Sequence, residues 1–231
     1  MAKQSPFLTR YFPPLSSGLG TVNTIAWSPD GKYLAGSFAS WNSNGICIWD
    51  TRTGNLVRMF QSNNEMPSRA WSPNGKYLLT IGNAAEVWSM PAGQLVSTHT
   101  QHSVQNAAWS PDSTRIASAD GDGTVQVWDA LTGHGLLTYT GHANQGAGVE
   151  AVAWSPDGKR LVSSGSDIQV WNAATGKLIF VYTGQHSSKG SPYLRPLAWS
   201  PDGKLIASGE QLPNDAGGNI QVWEAASSNA A

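Results

Sequence analysis

A five-residue block, Ala-Trp-Ser-Pro followed by Asp or Asn, occurs five times in this chain, and each copy is followed by a second tryptophan. Successive blocks lie 44, 38, 45 and 45 residues apart. A period of this length predicts one small antiparallel sheet per repeat, with the sheets arranged around a common axis. Ten of the eleven tryptophans occupy repeat positions, and Trp41 alone stands outside them. The first tryptophans are Trp27, Trp71, Trp109, Trp154 and Trp199, and the second are Trp49, Trp88, Trp128, Trp171 and Trp223.

Residues 104–140 give the clearest repeat. Short apolar runs alternate with turn formers, and the runs are rich in the β-branched and aromatic residues that favour strands. Within Ser110–Ser113, proline fixes φ and Asp112 can bond its own backbone, so this segment predicts a tight turn. Each repeat therefore predicts four antiparallel strands joined by hairpins. The five repeats cover about 22–60, 66–100, 104–140, 149–183 and 194–224, all within one domain, 21–231.

The two ends of the chain predict how the repeats close. The fifth repeat ends after its third strand in a tail of small and polar residues, 225–231, which is a poor strand. The segment Phe7–Phe12, in contrast, resembles a fourth strand. We therefore expect residues 1–20 to supply the outer strand of the last sheet and leave no long exposed edge.

Composition excludes several classes of protein. The net charge is −1 and no basic stripe is present, so nucleic-acid binding is not expected. No stretch approaches the roughly 18 apolar residues of a membrane helix, and the first residues lack the apolar core of a signal peptide. The single cysteine, Cys47, fits a reducing compartment and is interpreted as a buried structural thiol. Together these features predict a cytoplasmic protein without a membrane partner.

Trp49-Asp50, Trp128-Asp129, the five Ser-Pro turns and Gly141-His142 together resemble the WD-repeat β-propeller family, over nearly the whole chain. The resemblance implies an all-β propeller of four-stranded blades, and the regular repeats are similar to bacterial members. Members of the family usually have seven blades, whereas this chain shows five repeats, so we expect a propeller of five blades. The resemblance is specific for fold and almost uninformative about function. It also implies a buried hydrogen-bond network in the third repeat, formed by His102, Ser118, Asp122 and Trp128. The fourth repeat has the histidine, serine and tryptophan, but Gly165 stands where the family has aspartate.

No set of residues predicts catalysis, a metal site or a cofactor. The histidine, serine and aspartate of the third repeat occupy scaffold positions, so we interpret them as structural. Glu150 is the only plausible carboxylate in the central cavity, which argues against a glycosidase. His99 and His102 have no accompanying ligands at metal-site spacing. We therefore expect a non-enzymatic protein without a cofactor.

Candidate binding residues lie where the repeat pattern breaks. Loops 38–45, 142–148, 185–193 and 210–215 are enlarged, and strand order places them on one face. Trp41 and Tyr193 lie in or beside these loops and could anchor a partner. A second set opens each first strand at the channel rim. Its members are Asn23, Pro67, Gln105, Glu150 and Arg195, and we take Asn23, Gln105, Glu150 and Arg195 as partner-binding residues.

The sequence favours a scaffold that binds a protein or peptide of unknown identity through this face. Two alternatives remain at this point. One is a small-ligand or carbohydrate-binding propeller. The other is a fragment of a larger propeller that another chain completes. Whether the protein is a monomer or self-associates is not determined by the sequence.

Overall fold

Eighteen β-strands form the structure, a computed structural model that describes residues 21–39, 44–62, 70–100, 104–143, 148–182, 196–211 and 218–225. The strands are β1 Thr21–Trp27, β2 Tyr33–Ala39, β3 Asn44–Asp50, β4 Leu56–Gln61, β5 Tyr77–Ile81, β6 Ala85–Ser89, β7 Gln94–His99, β8 Val104–Trp109, β9 Arg115–Asp120, β10 Val125–Asp129, β11 Gly135–Tyr139, β12 Ala151–Trp154, β13 Arg160–Ser164, β14 Ile168–Asn172, β15 Leu178–Tyr182, β16 Leu197–Trp199, β17 Leu205–Gln211 and β18 Gly218–Glu224.

These strands form five separate antiparallel sheets, one for each repeat. The first, third and fourth sheets have four strands, paired in chain order as β1–β4, β8–β11 and β12–β15. The second contains β5–β7, with a single bridge from Trp71 to Leu78 where a first strand is expected. The fifth contains β16–β18. The prediction of an all-β fold of repeated antiparallel sheets is confirmed.

The Ser-Pro turns form as their composition predicts. Asp112 accepts hydrogen bonds from the backbone N–H of Thr114, at 3.0 Å, and from the hydroxyl of Ser110. These bonds hold the pKa of the Asp112 carboxyl below its ordinary value, against the opposing effect of burial. Four of the five turns place glycine at a left-handed position, whereas the third repeat places Ser113 there, with φ of 62°. Ser113 accepts a hydrogen bond at 3.0 Å from the backbone N–H of Asn74, which links the turn to the preceding sheet.

The tryptophans fill the space between sheets. One core cluster joins Val125 and Val127 of the third sheet to Trp154, Leu161 and Trp171 of the fourth. The second tryptophan of a sheet stacks on a ring from the last strand of the preceding sheet, with centroids 4.4–4.9 Å apart. These pairs are Phe60 with Trp88, His99 with Trp128, Tyr139 with Trp171, and Tyr182 with Trp223. The core therefore lies between sheets, so each sheet depends on its neighbours for burial.

The predicted closing segment, residues 1–20, and the tail, 226–231, lie outside the described residues. The domain boundaries and the closing strand therefore stay predictions. Among the residues that the structure does describe, no helix is long and apolar enough to cross a membrane.

Candidate functional site

The residues that open the first strands share one backbone position. The register of β1 against β2 shifts between Val22 and Thr24, which makes Asn23 the extra residue of a β-bulge. The register of β8 against β9 shifts in the same way around Gln105. A bulge bends its strand and re-aims the extra side chain, and both amides are exposed. Glu150 occupies the equivalent place before β12, where its N–H donates to the carbonyl of Ser164 and its side chain is half-buried.

The connections predicted to share one end of the sheets do meet there. The N–H of Val104, at the start of β8, donates to the carbonyl of Gly82, which lies between β5 and β6 of the preceding sheet. The N–H of Val149 donates in the same way to the carbonyl of Asp120, where β9 ends. Both β8 and β12 therefore begin beside the turn between the second and third strands of the preceding sheet. Asn23, Gln105 and Glu150 are equivalent positions at this end, and we call them the rim set.

A cavity of about 600 Å³ lies between the first strands of the second to fifth sheets. Its walls are the repeated indoles, the prolines of the Ser-Pro turns and the small residues of β8 and β12. Among the lining residues, Asn106 has a polar amide, and the indoles have their N–H groups. Asn106 follows Gln105, a member of the rim set, in the sequence. The cavity could accept an apolar side chain, and Gln105 and Glu150 directly precede two of its lining residues, Asn106 and Ala151.

Several predicted site residues lie outside the described part of the chain. They are Trp41, Tyr193 and Arg195 of the partner-binding set and His102 of the structural network. Half or more of each enlarged loop lies outside it as well. These assignments stay predictions, and of the partner-binding set the structure describes only the rim set.

The fourth sheet contains a buried polar network that the sequence analysis assigned incompletely. The indole N–H of Trp171 donates to Ser163 Oγ at 3.1 Å, and His142 Nε2 lies 2.9 Å from the same oxygen. His142 Nδ1 lies 3.3 Å from a carboxylate oxygen of Asp167. Gly165 was expected to leave this network without an acid, but Asp167 supplies it from the shortened turn before β14. The side chain of Gln169 donates to Asp167 at 2.9 Å and holds it in place.

This network contains the serine, histidine and aspartate of a catalytic triad, but its serine is not accessible to a substrate. An assignment that satisfies each atom has the Ser163 hydroxyl donating to His142 Nε2 and His142 Nδ1–H donating to Asp167. A nucleophilic serine must reach a substrate, yet Ser163 and His142 are completely buried. The arrangement therefore joins strands β13 and β14 to the segment after β11.

The third sheet differs from the predicted network at its acid. Asp122 is exposed, and its carboxylate accepts hydrogen bonds from the backbone and hydroxyl of Thr124 at 2.9 and 2.7 Å. Asp120 is the buried carboxyl instead, and among the described residues neither of its oxygens has a hydrogen-bond partner. Burial, with a smaller effect from Asp122, raises the pKa of Asp120 to about 7. Ser118 Oγ and Trp128 Nε1 are also buried without partners in the described part of the chain.

The other sheets partly reproduce the network. The indole of Trp88 donates to Thr80 Oγ1 at 3.1 Å, and that of Trp223 donates to Ser208 Oγ at 3.3 Å. In each of these two sheets a strand hydroxyl therefore accepts the indole N–H, as Ser163 does in the fourth sheet. Over the ranges described, no three His, Cys, Asp or Glu side chains cluster as a metal site requires.

Comparison with known proteins places these repeats in a family. A family profile described as "WD domain, G-beta repeat" matches residues 93–129, 133–172 and 194–224. A second, described as "Eukaryotic translation initiation factor eIF2A", matches residues 14–89. A chain in a crystal structure of the mitotic checkpoint complex superposes with a TM-score of 0.70 and 26% identity, over 89% of this chain and 63% of that one.

Curated relatives resemble only part of this chain. WD repeat-containing protein 1 of Rattus norvegicus is 27% identical over 64% of this chain and 25% of its own length. Actin-interacting protein 1 of Drosophila melanogaster is 30% identical over 69% and 26%. Cell division cycle 20.1, cofactor of APC complex, of Arabidopsis thaliana is 28% identical over 63% and 33%. The aligned part thus spans a quarter to a third of the length of these relatives. The repeated sheets, their tryptophan packing and the matching profile show that the chain belongs to the WD40-repeat β-propeller family.

Proposed function

We propose that this protein is a non-enzymatic scaffold that binds a protein or peptide at the channel rim and on the adjoining face of enlarged loops. The observation that carries the proposal is the contrast between two kinds of position. Scaffold positions repeat from sheet to sheet, whereas the rim set changes from Asn23 to Gln105 to Glu150 at one equivalent place. Polar side chains that differ in chemistry but share an exposed end are suited to recognising a partner without symmetry.

The cavity beside the rim set supports a peptide rather than a sugar. Apart from Asn106 its lining side chains are aromatic, aliphatic or proline, and its indoles already donate their N–H groups to neighbouring sheets, for example Trp109 to the carbonyl of Ala70 at 3.0 Å. A sugar needs several free polar groups, whereas one apolar side chain of a peptide needs an apolar recess. We therefore propose that a partner inserts such a side chain while its backbone contacts Gln105 and Glu150.

The names of two relatives also support a protein-binding role, although they identify no partner for this chain. One relative is called an actin-interacting protein and another a cofactor of the APC complex. Trp41, Tyr193 and Arg195 remain proposed members of the binding face. A cytoplasmic location also remains a proposal, which the buried free thiol of Cys47 supports.

The proposed role of residues 1–20 is to supply a fourth strand to the fifth sheet. In the described residues β18 pairs with β17 on one side only. In the first four sheets the last strand leads directly into the first strand of the next sheet, and residues 1–20 have the same relation to β1. Five remains the proposed number of blades contributed by this chain.

The test is peptide selection followed by two matched variants. Peptides are selected from a displayed random library against the wild-type protein, and their affinities are then measured for both variants. One variant replaces Asn23, Gln105 and Glu150 with alanine. The control replaces Lys32, Lys159 and Lys204, which are exposed in turns at the other end of the first strands. We expect at least a tenfold loss of affinity, about 1.4 kcal/mol, only for the rim variant. Equal binding to all three proteins, or a loss confined to the lysine variant, would place the site elsewhere.

A further inference from the structure

Charge is divided unequally between the two ends of the sheets. The end opposite the rim carries the Ser-Pro turns and the turns between third and fourth strands, and we call it the turn end. These turns bond each other, as when the N–H of Ala173 donates to the carbonyl of Lys159 at 3.0 Å. Arg58 lies further along β4, but its side chain contacts Gly93 in a turn of the second sheet. Every lysine and arginine that the structure describes therefore lies at the turn end: Lys32, Arg52, Arg58, Lys76, Arg115, Lys159, Arg160, Lys177 and Lys204.

The rim end of the third and fourth sheets is acidic. Asp122 is exposed in the turn between β9 and β10, Glu150 directly precedes β12, and Asp167 lies in the turn between β13 and β14. The segment that opens β12 packs between those two turns, since its N–H groups donate to the carbonyls of Asp120 on one side and Ser164 on the other. Asp122, Glu150 and Asp167 therefore border one stretch of the rim, which we call the acidic patch.

The acidic patch favours a cationic partner. Within the described ranges no lysine or arginine lies at this end. Asp122 accepts hydrogen bonds from Thr124, which is uncharged and leaves the negative charge in place. The sequence also places Arg195 at the rim, in the fifth sheet and outside the described residues, so the acidic character belongs to the third and fourth sheets. Charges of one sign at the mouth of a recess attract groups of the opposite sign.

The acidic patch borders the mouth of the cavity. Ala151, the residue after Glu150, lines the cavity together with Asn106 and Ala107 of β8. None of the described residues that line it is charged. A lysine or arginine inserted there would lose its hydration without gaining a counter-ion, which is costly. The recess therefore suits an apolar side chain, and its mouth suits cationic ones.

We infer, on the basis of the proposed function, that the partner is a basic peptide segment. It inserts one apolar side chain into the cavity and places neighbouring lysine or arginine side chains against the acidic patch. Because these cations stay partly hydrated at the mouth, each adds modest affinity. Their main effects are to speed association and to exclude acidic peptides. The same patch repels the phosphates of nucleic acids.

Selection of peptides, followed by binding to a charge variant, tests this partner. Peptides are selected from a displayed random library against the wild-type protein, sequenced, synthesised and titrated by fluorescence anisotropy. The patch variant carries Asp122→Asn and Glu150→Gln, which remove two negative charges and keep the shape of both side chains. Asp167 is left unchanged, because it bonds His142 in the buried network of the fourth sheet.

A matched control removes two negative charges at the turn end. It carries Asp157→Asn and Asp202→Asn in two Ser-Pro turns. Asparagine is suited to this place, because Asn74 occupies it in the second repeat and accepts the same turn bonds, from the hydroxyl of Ser72 at 2.8 Å and the N–H of Lys76 at 2.9 Å. Circular dichroism checks that both variants are folded.

We expect the selected peptides to be enriched in lysine and arginine beside an apolar residue. Their affinity should fall about threefold to tenfold for the patch variant and stay unchanged for the control. Raising the NaCl concentration from about 50 mM to about 500 mM should weaken binding to the wild type more than binding to the patch variant, because salt screens the lost charges.

The alanine variant of the rim set separates this inference from the proposed function. Peptides that need the rim set but are neutral or acidic, or that bind the patch variant as tightly as the wild type, would overturn the basic partner and leave the proposed function standing. Peptides that bind the alanine variant as tightly as the wild type would overturn both, since the site would then lie elsewhere.

Discussion

Asp120 is a buried carboxyl whose ionisation should oppose folding. Its pKa is raised from 3.8 to about 7, chiefly by burial. Below pH 4 the carboxyl is protonated in both the folded and unfolded states. As pH rises from about 4 to 7, the unfolded chain loses this proton while the folded chain keeps it, so the free energy of unfolding falls. Above pH 7 the cost is complete and no longer changes.

Asp120→Asn should therefore stabilise the protein in a pH-dependent way. The amide cannot ionise, so the gain over wild type should grow between pH 4 and pH 7 and reach the order of 3 kcal/mol above that. Urea unfolding of both proteins at several pH values measures the difference. Asp122→Asn is the control, because Asp122 is exposed and should change stability little. A variant that loses stability at pH 8 would show instead that Asp120 is ionised and paired.

Cys47 should react only when the protein unfolds. Burial raises the pKa of its thiol to about 12, so almost no thiolate is present at pH 8 and no reagent can reach it. We expect alkylation by iodoacetamide, followed by mass spectrometry, to be far slower in the folded protein than in urea. Rapid labelling without denaturant would mean that β3 opens locally and often.

At the scale of single residues, the sequence predicted the type of group better than its position. Through the family resemblance it predicted a buried acid in the third sheet, but assigned that acid to Asp122. Asp120 lies at the last paired position of β9, where its side chain turns inward, and spacing alone cannot show that. In the fourth sheet the turn is two residues shorter, so Asp167 reaches His142 from a place that the repeat pattern does not mark.

At the scale of the sheet, the third and fourth sheets offer a matched pair of serines. Ser163 and Ser118 occupy equivalent places on β13 and β9, opposite Gln169 and Gln126, and both are completely buried. Ser163 Oγ bonds both Trp171 and His142. Ser118 Oγ bonds nothing among the described residues. Replacing each serine with alanine therefore measures how much the hydrogen bonds of Ser163 contribute to the free energy of unfolding.

Ser163→Ala should destabilise the protein by about 1–3 kcal/mol, because it leaves the indole N–H of Trp171 and a ring nitrogen of His142 buried without partners. Ser118→Ala should cost less than about 0.5 kcal/mol, since it removes no bond found in the structure. Equilibrium unfolding in urea gives both values. Similar losses at the two sites would indicate that Ser118 takes part in the predicted network with His102.

Strands and turns were the most predictable elements, for a physical reason. Each Ser-Pro turn bonds its own backbone, and each tryptophan fills the same space between sheets, so local sequence and packing agree. The bulges at Asn23 and Gln105 were not predictable, because no local residue type requires them. They depend on how β1 and β8 start against the second strand of their own sheet. The rim set was found through its repeat position, while its exposure came from the bulges.

At the scale of the whole molecule, the sheets form a linear series in which each is stabilised by its neighbours. The third and fourth sheets pack on both sides, and the apolar side chains of their third strands are buried. The first and fifth sheets each have one exposed face. Stability should therefore be greatest in the middle of the series and lowest at its two ends, since burial between sheets supplies most of the apolar contact.

Hydrogen exchange followed by mass spectrometry can measure this gradient. We expect peptides from β9, β10, β13 and β14 to exchange slowest, and peptides from β1 and β18 fastest. Uniform exchange across all five sheets at low concentration would contradict the linear series.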